Sequence, residues 1–131
     1  MTTETTHRDT AEAGLRLRKQ VLGDAHVERS LAAASDFARP MQEFVTEYCW
    51  GAIWARDGLT PATRSLLNLA MLTALNRSTE FAVHVRGAIN NGVTREEIQE
   101  VLLQAAVYVG VPAALESFRV AERVLDDLAG A

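Results

Sequence analysis

An all-α fold is what this sequence predicts, and three observations predict it. Apolar residues recur at three- and four-residue steps from about position 10 to the end, the period of one helix face. No stretch alternates apolar and polar residues as a half-buried strand does. No turn pair sits between two alternating runs, which removes the hairpin signal. The length, 131 residues, suits one domain with a real core. Residues 1–8 are expected to be a disordered tail and 9–131 the domain, a bundle of about six helices.

The first helix is expected from Thr10 to Leu22, with Arg16, Arg18 and Lys19 interleaved among Leu15, Leu17 and Val21, and Gly23 as its stop. "GDAHVERSL" reads as a turn with at most one helical turn. A longer helix follows from about Ser35 to Trp54. Phe37, Met41, Phe44, Val45, Tyr48 and Ala52 form its apolar face, and Pro40 fits only in its first turns.

Thr60 followed by Pro61 is a sharp helix start. The helix it opens, 61–75, is apolar on nearly every side and is expected to be buried all round. Arg64, Ser65 and Asn68 nevertheless share about a third of its circumference. Buried polar groups need partners, in a pocket or at a subunit contact. Ser78 is the expected cap of the next helix, and Gly92 followed by Val93 its expected end. Thr94 with Glu97 spells a capping box for a helix carrying Ile98, Val101, Leu102, Ala105 and Val109, which stops at Gly110. Pro112 opens the last helix, with an expected seam of Leu115, Phe118, Ala121, Leu125 and Leu128.

Composition narrows the function. With 13 basic and 17 acidic side chains the formal charge is −4, and no basic run offers a footprint for nucleic acid. No apolar run approaches the roughly 20 residues that span a bilayer, and "MTTETTHRDT" lacks the apolar centre of a signal peptide. A cytoplasmic protein without nucleic-acid or membrane partners is the expectation. The single cysteine, Cys49, forbids an internal disulfide, a CxxC redox pair and a multi-cysteine zinc site.

The helix over 77–91 holds the pattern of most chemical interest. On a wheel at ~100° per residue, Phe81, Val85, Ala88 and Ile89 form a core face. Arg77, Glu80, His84, Gly87 and Asn91 form a separate strip beside it. Glycine in mid-helix is unfavourable by roughly 1 kcal/mol relative to alanine, so Gly87 suggests a notch one turn beyond His84. Glu80 and His84, four apart, could be the acid–base part of an active site. The same spacing also fits a solvent-facing pair, with Glu80 favoured by the helix dipole. His26 fits an ordinary turn histidine as well as a catalytic one. Trp50 and Trp54 fit core packing as well as a ligand wall.

Five ordered blocks, "VLGDAHVERSL", "WGAIWARDGL", "RSLLNLAMLTALNR", "EFAVHVRGAINNGVTREEI" and "YVGVPAA", together resemble the 4-carboxymuconolactone decarboxylases of protocatechuate catabolism, over roughly residues 12–125. The wider superfamily includes alkylhydroperoxidase-like proteins, helical oligomers with a CxxC whose second cysteine precedes a histidine by four. That histidine matches His84, the second cysteine falls at Glu80 and the first at Arg77, so the redox dithiol is absent here. Two positions depart from the family's usual pattern: Asp57 stands in a loop that usually reads "RPGL", and Cys49 lies beside Trp50.

The resemblance implies cofactor-independent, metal-free decarboxylation of an unsaturated lactone, giving the β-ketoadipate enol-lactone. The carboxylate leaves as CO2, and its electron pair flows through the adjacent C=C into the lactone carbonyl. The site must hold a spectator carboxylate, which suits arginine, stabilise charge on the carbonyl oxygen, and see a proton delivered to the neighbouring carbon. Glu80 and His84 are the expected catalytic pair. His84 would deliver the proton or donate to the oxyanion, and Glu80 would orient it or share the proton. Arg56, Arg64 and Arg77 are candidates for the substrate carboxylates, Trp50 or Trp54 for a wall on the ring, and His26 for a reserve acid. The competing readings are a related decarboxylase or isomerase acting on another small carboxylated compound, and a non-catalytic helical binding module. The apolar excess of helices 35–54 and 61–75 predicts an oligomer, and the resemblance implies a homohexamer, a trimer of dimers.

Overall fold

The computed structural model describes residues 5–130. Seven α-helices and one π-helix follow in order: α1 (His7–Leu22), α2 (Asp24–Ala33), α3 (Arg39–Phe44), the π-helix (Val45–Trp54), α4 (Pro61–Ala74), α5 (Ser78–Asn90), α6 (Arg95–Tyr108) and α7 (Val111–Ala129). No strand occurs among the described residues, so the all-α expectation holds. No helix among them is long and apolar enough to cross a membrane. The chain divides into two compact units, one ending at Leu59 and one beginning at Thr60.

In the first unit the helical chain begins earlier than expected. Thr6 caps α1 through a reciprocal box: the Asp9 N–H donates to Thr6 Oγ1 at 3.1 Å, and the Thr6 N–H to Asp9 Oδ2 at 3.2 Å. That pairing satisfies two N-terminal donors, so residues 6–8 belong to the fold, not to a tail. The part of the tail expectation that covers residues 1–4 lies outside the described residues. Gly23, at φ +92, ends α1, and its N–H reaches Lys19 O at 2.8 Å. The segment read as a turn is a ten-residue helix, α2.

The long helix expected from Ser35 starts at Arg39, with Pro40 in its first turn, and changes at Val45 into a ten-residue π-helix. Such runs are usually single-turn bulges, and nothing in the composition forecast one. Its packing on α1 is backbone against backbone. A Cβ on Gly14 would lie 2.1 Å from Thr46 O and 2.7 Å from Gly51 N, and one on Gly51 would lie 2.3 Å from Thr10 O. Only glycine permits that approach. Val21, Trp50 and Trp54 form the small side-chain core beside it.

Arg18 is buried in this unit rather than solvated. Its Nη1 donates to Thr46 Oγ1 at 3.1 Å and its Nη2 to Gln42 Oε1 at 2.9 Å. Burial pulls its pKa below the usual guanidinium range, with Cys49 opposing.

The second unit has a larger core. Leu69 of α4, Phe81, Val85 and Ala88 of α5, Val93 of the following connection, Ile98 and Leu102 of α6, and Val120, Ala121 and Val124 of α7 pack as one cluster. The caps follow the sequence. Thr60 Oγ1 accepts from the Thr63 N–H at 3.2 Å, and Thr94 with Glu97 forms the expected box. After α5, Gly92 takes φ +87. Its N–H reaches Ile89 O at 3.0 Å, and the Val93 N–H reaches Ala88 O at 2.9 Å. This is a Schellman ending, with Val93 making the apolar contact.

Three details differ. Ser78 is the first residue of α5 rather than its cap, and its Oγ donates to Glu116 Oε1 at 3.1 Å. Helix α4 is not buried all round: Leu67 and Met71 are 46% and 52% exposed. The buried line of α7 is Ala114, Ser117, Val120, Ala121 and Val124, with Leu115 half exposed. Close helix contact favours small side chains such as Ala114 and Ser117 on the inner line, while Phe118 and Leu125 of the expected seam pack partly buried against the core.

Candidate functional site

The polar strips of α4 and α5 meet. Asn91, at the end of α5, donates through Nδ2 to Ser65 Oγ at 2.9 Å and to Pro61 O at 3.2 Å. One to two turns away the Asn68 amide nitrogen faces His84 Nδ1 at 3.4 Å. Advancing along α4 from Ser65 to Asn68 retreats along α5 from Asn91 to His84, as antiparallel neighbours do. The polar residues of the buried side of α4 therefore find partners on the next helix of the same chain. Ser65 is fully buried, and Asn68 and His84 are half-buried. Behind them Leu69, Phe81 and Val85 anchor both helices in the core, so the imidazole stands on two rigid elements.

Glu80 lies one turn before His84, exposed, in the first turn of α5. The polar side chain that the fold sets against His84 from the neighbouring helix is Asn68. Arg77 is exposed and is the backbone N-cap residue of α5, with no side-chain cap bond. Arg64 is half-buried on α4, four residues before Asn68 and so on the same face. Gly87 is buried on α5.

The other four candidates belong to the first unit. Trp50 and Trp54 stack with centroids 4.6 Å apart and planes at 30°. They are 2% and 5% exposed, the position of core side chains. His26 is half-buried on α2, and its carbonyl accepts from Ser30 Oγ at 3.0 Å. Arg56 is exposed in the loop after the π-helix, its N–H bonded to Ile53 O at 3.1 Å. Cys49 is exposed as a residue, yet desolvation of its thiol pushes the pKa up, with the Arg18 charge partly opposing.

Two open grooves lie elsewhere. One, of about 430 Å³, runs between α6 and α7 over Ile98, Leu102 and Ala121, rimmed by Arg95, Arg119, Glu96 and Glu122. The other, of about 600 Å³, lies in the first unit between α1 and the α3–π segment. None of the eight sequence candidates lines either groove.

The residue that sequence reasoning noted without placing is Asn68. The signal was present: two polar strips of matching spacing on consecutive helices joined by a short connection, which is the pattern of antiparallel partners.

Comparison with known proteins bears on what such a strip does. The carboxymuconolactone decarboxylase family matches residues 39–123. A 4-carboxymuconolactone decarboxylase of Acinetobacter baylyi is 44% identical over 115 residues, 88% of this chain and 86% of the relative. A nitrosuccinic acid decarboxylase of Metarhizium robertsii is 43% identical over 127 residues, 97% of this chain and 89% of the relative. A Pseudomonas putida 4-carboxymuconolactone decarboxylase is 45% identical over a shorter stretch of 40 residues, 30% of this chain and 83% of the relative. With the family match covering both the π-helix segment and the α4–α5 strip, the chain belongs to the carboxymuconolactone decarboxylase family.

Proposed function

We propose that this protein is a carboxy-lyase that decarboxylates 4-carboxymuconolactone to the β-ketoadipate enol-lactone. The observation that carries the reading is the 44% identity over most of both chains to a relative of that name, joined to a half-buried imidazole held by a polar partner on a neighbouring helix. The substrate supplies its own electron sink. Loss of CO2 sends the electron pair through the C=C onto the carbonyl oxygen of the lactone, and a proton then forms a C–H bond at the carbon next to that carbonyl as the C=O is restored. Fixed donors aimed at that oxygen lower the barrier because they need no reorganisation as charge develops. His84 and Glu80 are the residues we assign to this chemistry, and Arg64 and Arg77 to the substrate carboxylates, for which a guanidinium fork is suited. His26, Trp50, Trp54 and Arg56 carry no part of this reading.

A second reading has its own support, since the relative that acts by name on nitrosuccinic acid is 43% identical over nearly the whole chain. That compound also places its departing carboxylate next to an electron-accepting group, so the demand on the donors is similar. Purified protein given each compound in turn, with CO2 release followed, separates the two. For the lactone, His84→Gln is expected to lower kcat/KM by about 10²–10⁴, and Glu80→Gln by less. Near-normal turnover in both folded variants would remove the assignment.

The same reading includes a cytoplasmic homo-oligomer, with the hexamer as the expected form. Exposed apolar side chains on α4 (Leu67, Met71) and on α6 (Leu103, Val107) support an interface between copies. Light scattering that returned a monomer at micromolar concentration would end it.

A further inference from the structure

The C-cap residue of α5, Asn91, ties that helix to the start of α4. Its Nδ2 donates to Ser65 Oγ at 2.9 Å and to Pro61 O at 3.2 Å. A carbonyl oxygen only accepts, so the group that faces Pro61 is the NH2, and both of its hydrogens go to α4. Pro61 and Ser65 lie four residues apart on α4, about one helical turn. Two acceptors on successive turns fix the place of α5 along α4 more tightly than one does. Ser65 is fully buried, so water does not replace Asn91 there, and a buried polar group left without its partner is unfavourable.

The register so fixed is read at the other end of the strip. His84 stands seven residues back along α5, and Asn68 of α4 faces its Nδ1 at 3.4 Å. A helix advances about 1.5 Å per residue. A slip of one residue therefore carries a 3.4 Å contact beyond hydrogen-bond reach. The apolar cluster of Leu69, Phe81, Val85 and Ala88 holds the two helices together, but apolar attraction has no direction along the axis. The polar clamp supplies that direction. Asn91 is also firmly carried by its helix, since its N–H bonds to Gly87 O at 3.0 Å before Gly92 turns the chain.

We infer that Asn91 is a positioning residue for the decarboxylation: by clamping the end of α5 to Pro61 and Ser65 it sets the register in which His84 meets α4, and with it the place from which the imidazole acts on the substrate. This rests on the reading of His84 as a site residue. Asn91 acts through His84 and not on the substrate, so its loss falls on turnover and not on substrate affinity. A misplacement of about 1 Å lowers a rate by as much as 10²-fold.

The test reads the register apart from activity. In the full-length protein the ring signals of His84 in a ¹H–¹³C spectrum are identified by their loss in His84→Gln. Asn91→Ala should shift those signals and weaken the nuclear Overhauser contact between the ring and the Asn68 side chain. It should lower kcat by about 10- to 100-fold, with KM changed less than about threefold. Thr94→Ala, which weakens the cap of α6 and touches neither clamp bond, should leave the ring signals and kcat unchanged. Unmoved ring signals in folded Asn91→Ala overturn the inference. So does a change confined to KM, or a loss of kcat in Thr94→Ala as large as that in Asn91→Ala, which would mark general loosening. Should Asn91→Ala fail to fold, Ser65→Ala removes one of the two acceptors, and unmoved ring signals with unchanged kcat there overturn the inference instead. If the ring signals move but His84→Gln keeps full activity, the site reading falls and takes the catalytic consequence with it, while the clamp on the register stands.

Discussion

The two units of this chain are held together in opposite ways. The first brings α1 and the π-helix into backbone contact through Gly14 and Gly51, beside a small apolar cluster of Val21, Trp50 and Trp54. The second keeps its helices apart by side chains and buries a ten-residue cluster between them. The first is damaged by adding atoms and the second by removing them. The candidate chemistry belongs to the second kind, where two helices are anchored on a shared core and polar groups are read across the gap between them.

The contrast can be broken at four points of decreasing size. Phe81 is essentially fully buried, so Phe81→Ala is expected to destabilise by about 3–5 kcal/mol, measured by urea unfolding. A loss under about 1 kcal/mol would mean that the second core is looser than its burial indicates. Gly14→Ala adds one methyl group 2.1 Å from a backbone oxygen that has no flexible end to move. The expected loss is near the top of the roughly 1–3 kcal/mol seen for overpacking, and Gly14→Ala matching wild-type stability would refute the backbone contact. Thr94→Ala removes the cap of α6 and should lower stability by about 1 kcal/mol, visible as faster amide exchange in the first turn of that helix.

The smallest effect concerns Cys49. Desolvation raises its folded pKa above the ordinary value of 9.0, with Arg18 opposing. The folded state then keeps a proton that the unfolded state gives up. Stability from this source is complete below the unfolded value and is lost as pH rises through the folded one. A Cys49→Ala variant should therefore lose less stability than wild type on going from neutral pH to above the ordinary thiol value. Parallel losses in the two proteins would show that the thiol is not desolvated.

Helix ends were the most legible part of the sequence. Thr60–Pro61, Thr94 with Glu97, and Gly92–Val93 each act within five residues, so no distant contact can overrule them. Thr6 with Asp9 is the same kind of signal, and it was hidden by the polar composition of the segment around it. Faces were harder to read. The seam of α7 is set by which side of the helix its neighbours approach, and close approach selects Ala114 and Ser117 over Leu115. Nothing local marks Arg18 for burial, because its partners, Thr46 and Gln42, lie 28 and 24 residues away. At the candidate site both strips could be seen on their helices, whereas the meeting of Asn68 with His84 depends on how α4 and α5 pack.

The amino-acid sequence by itself determined the helical class, most helix boundaries, the absence of a cysteine pair and the two polar strips, because each follows from local periodicity, capping or residue counts. Tertiary structure alone decided that a stretch of ordinary helix formers would widen into a π-helix against two glycines, and that an amide from α4 would face the imidazole of α5. Those outcomes depend on which atoms another segment brings within about 3.5 Å, the reach of a hydrogen bond or a steric contact, and no local spacing carries that information.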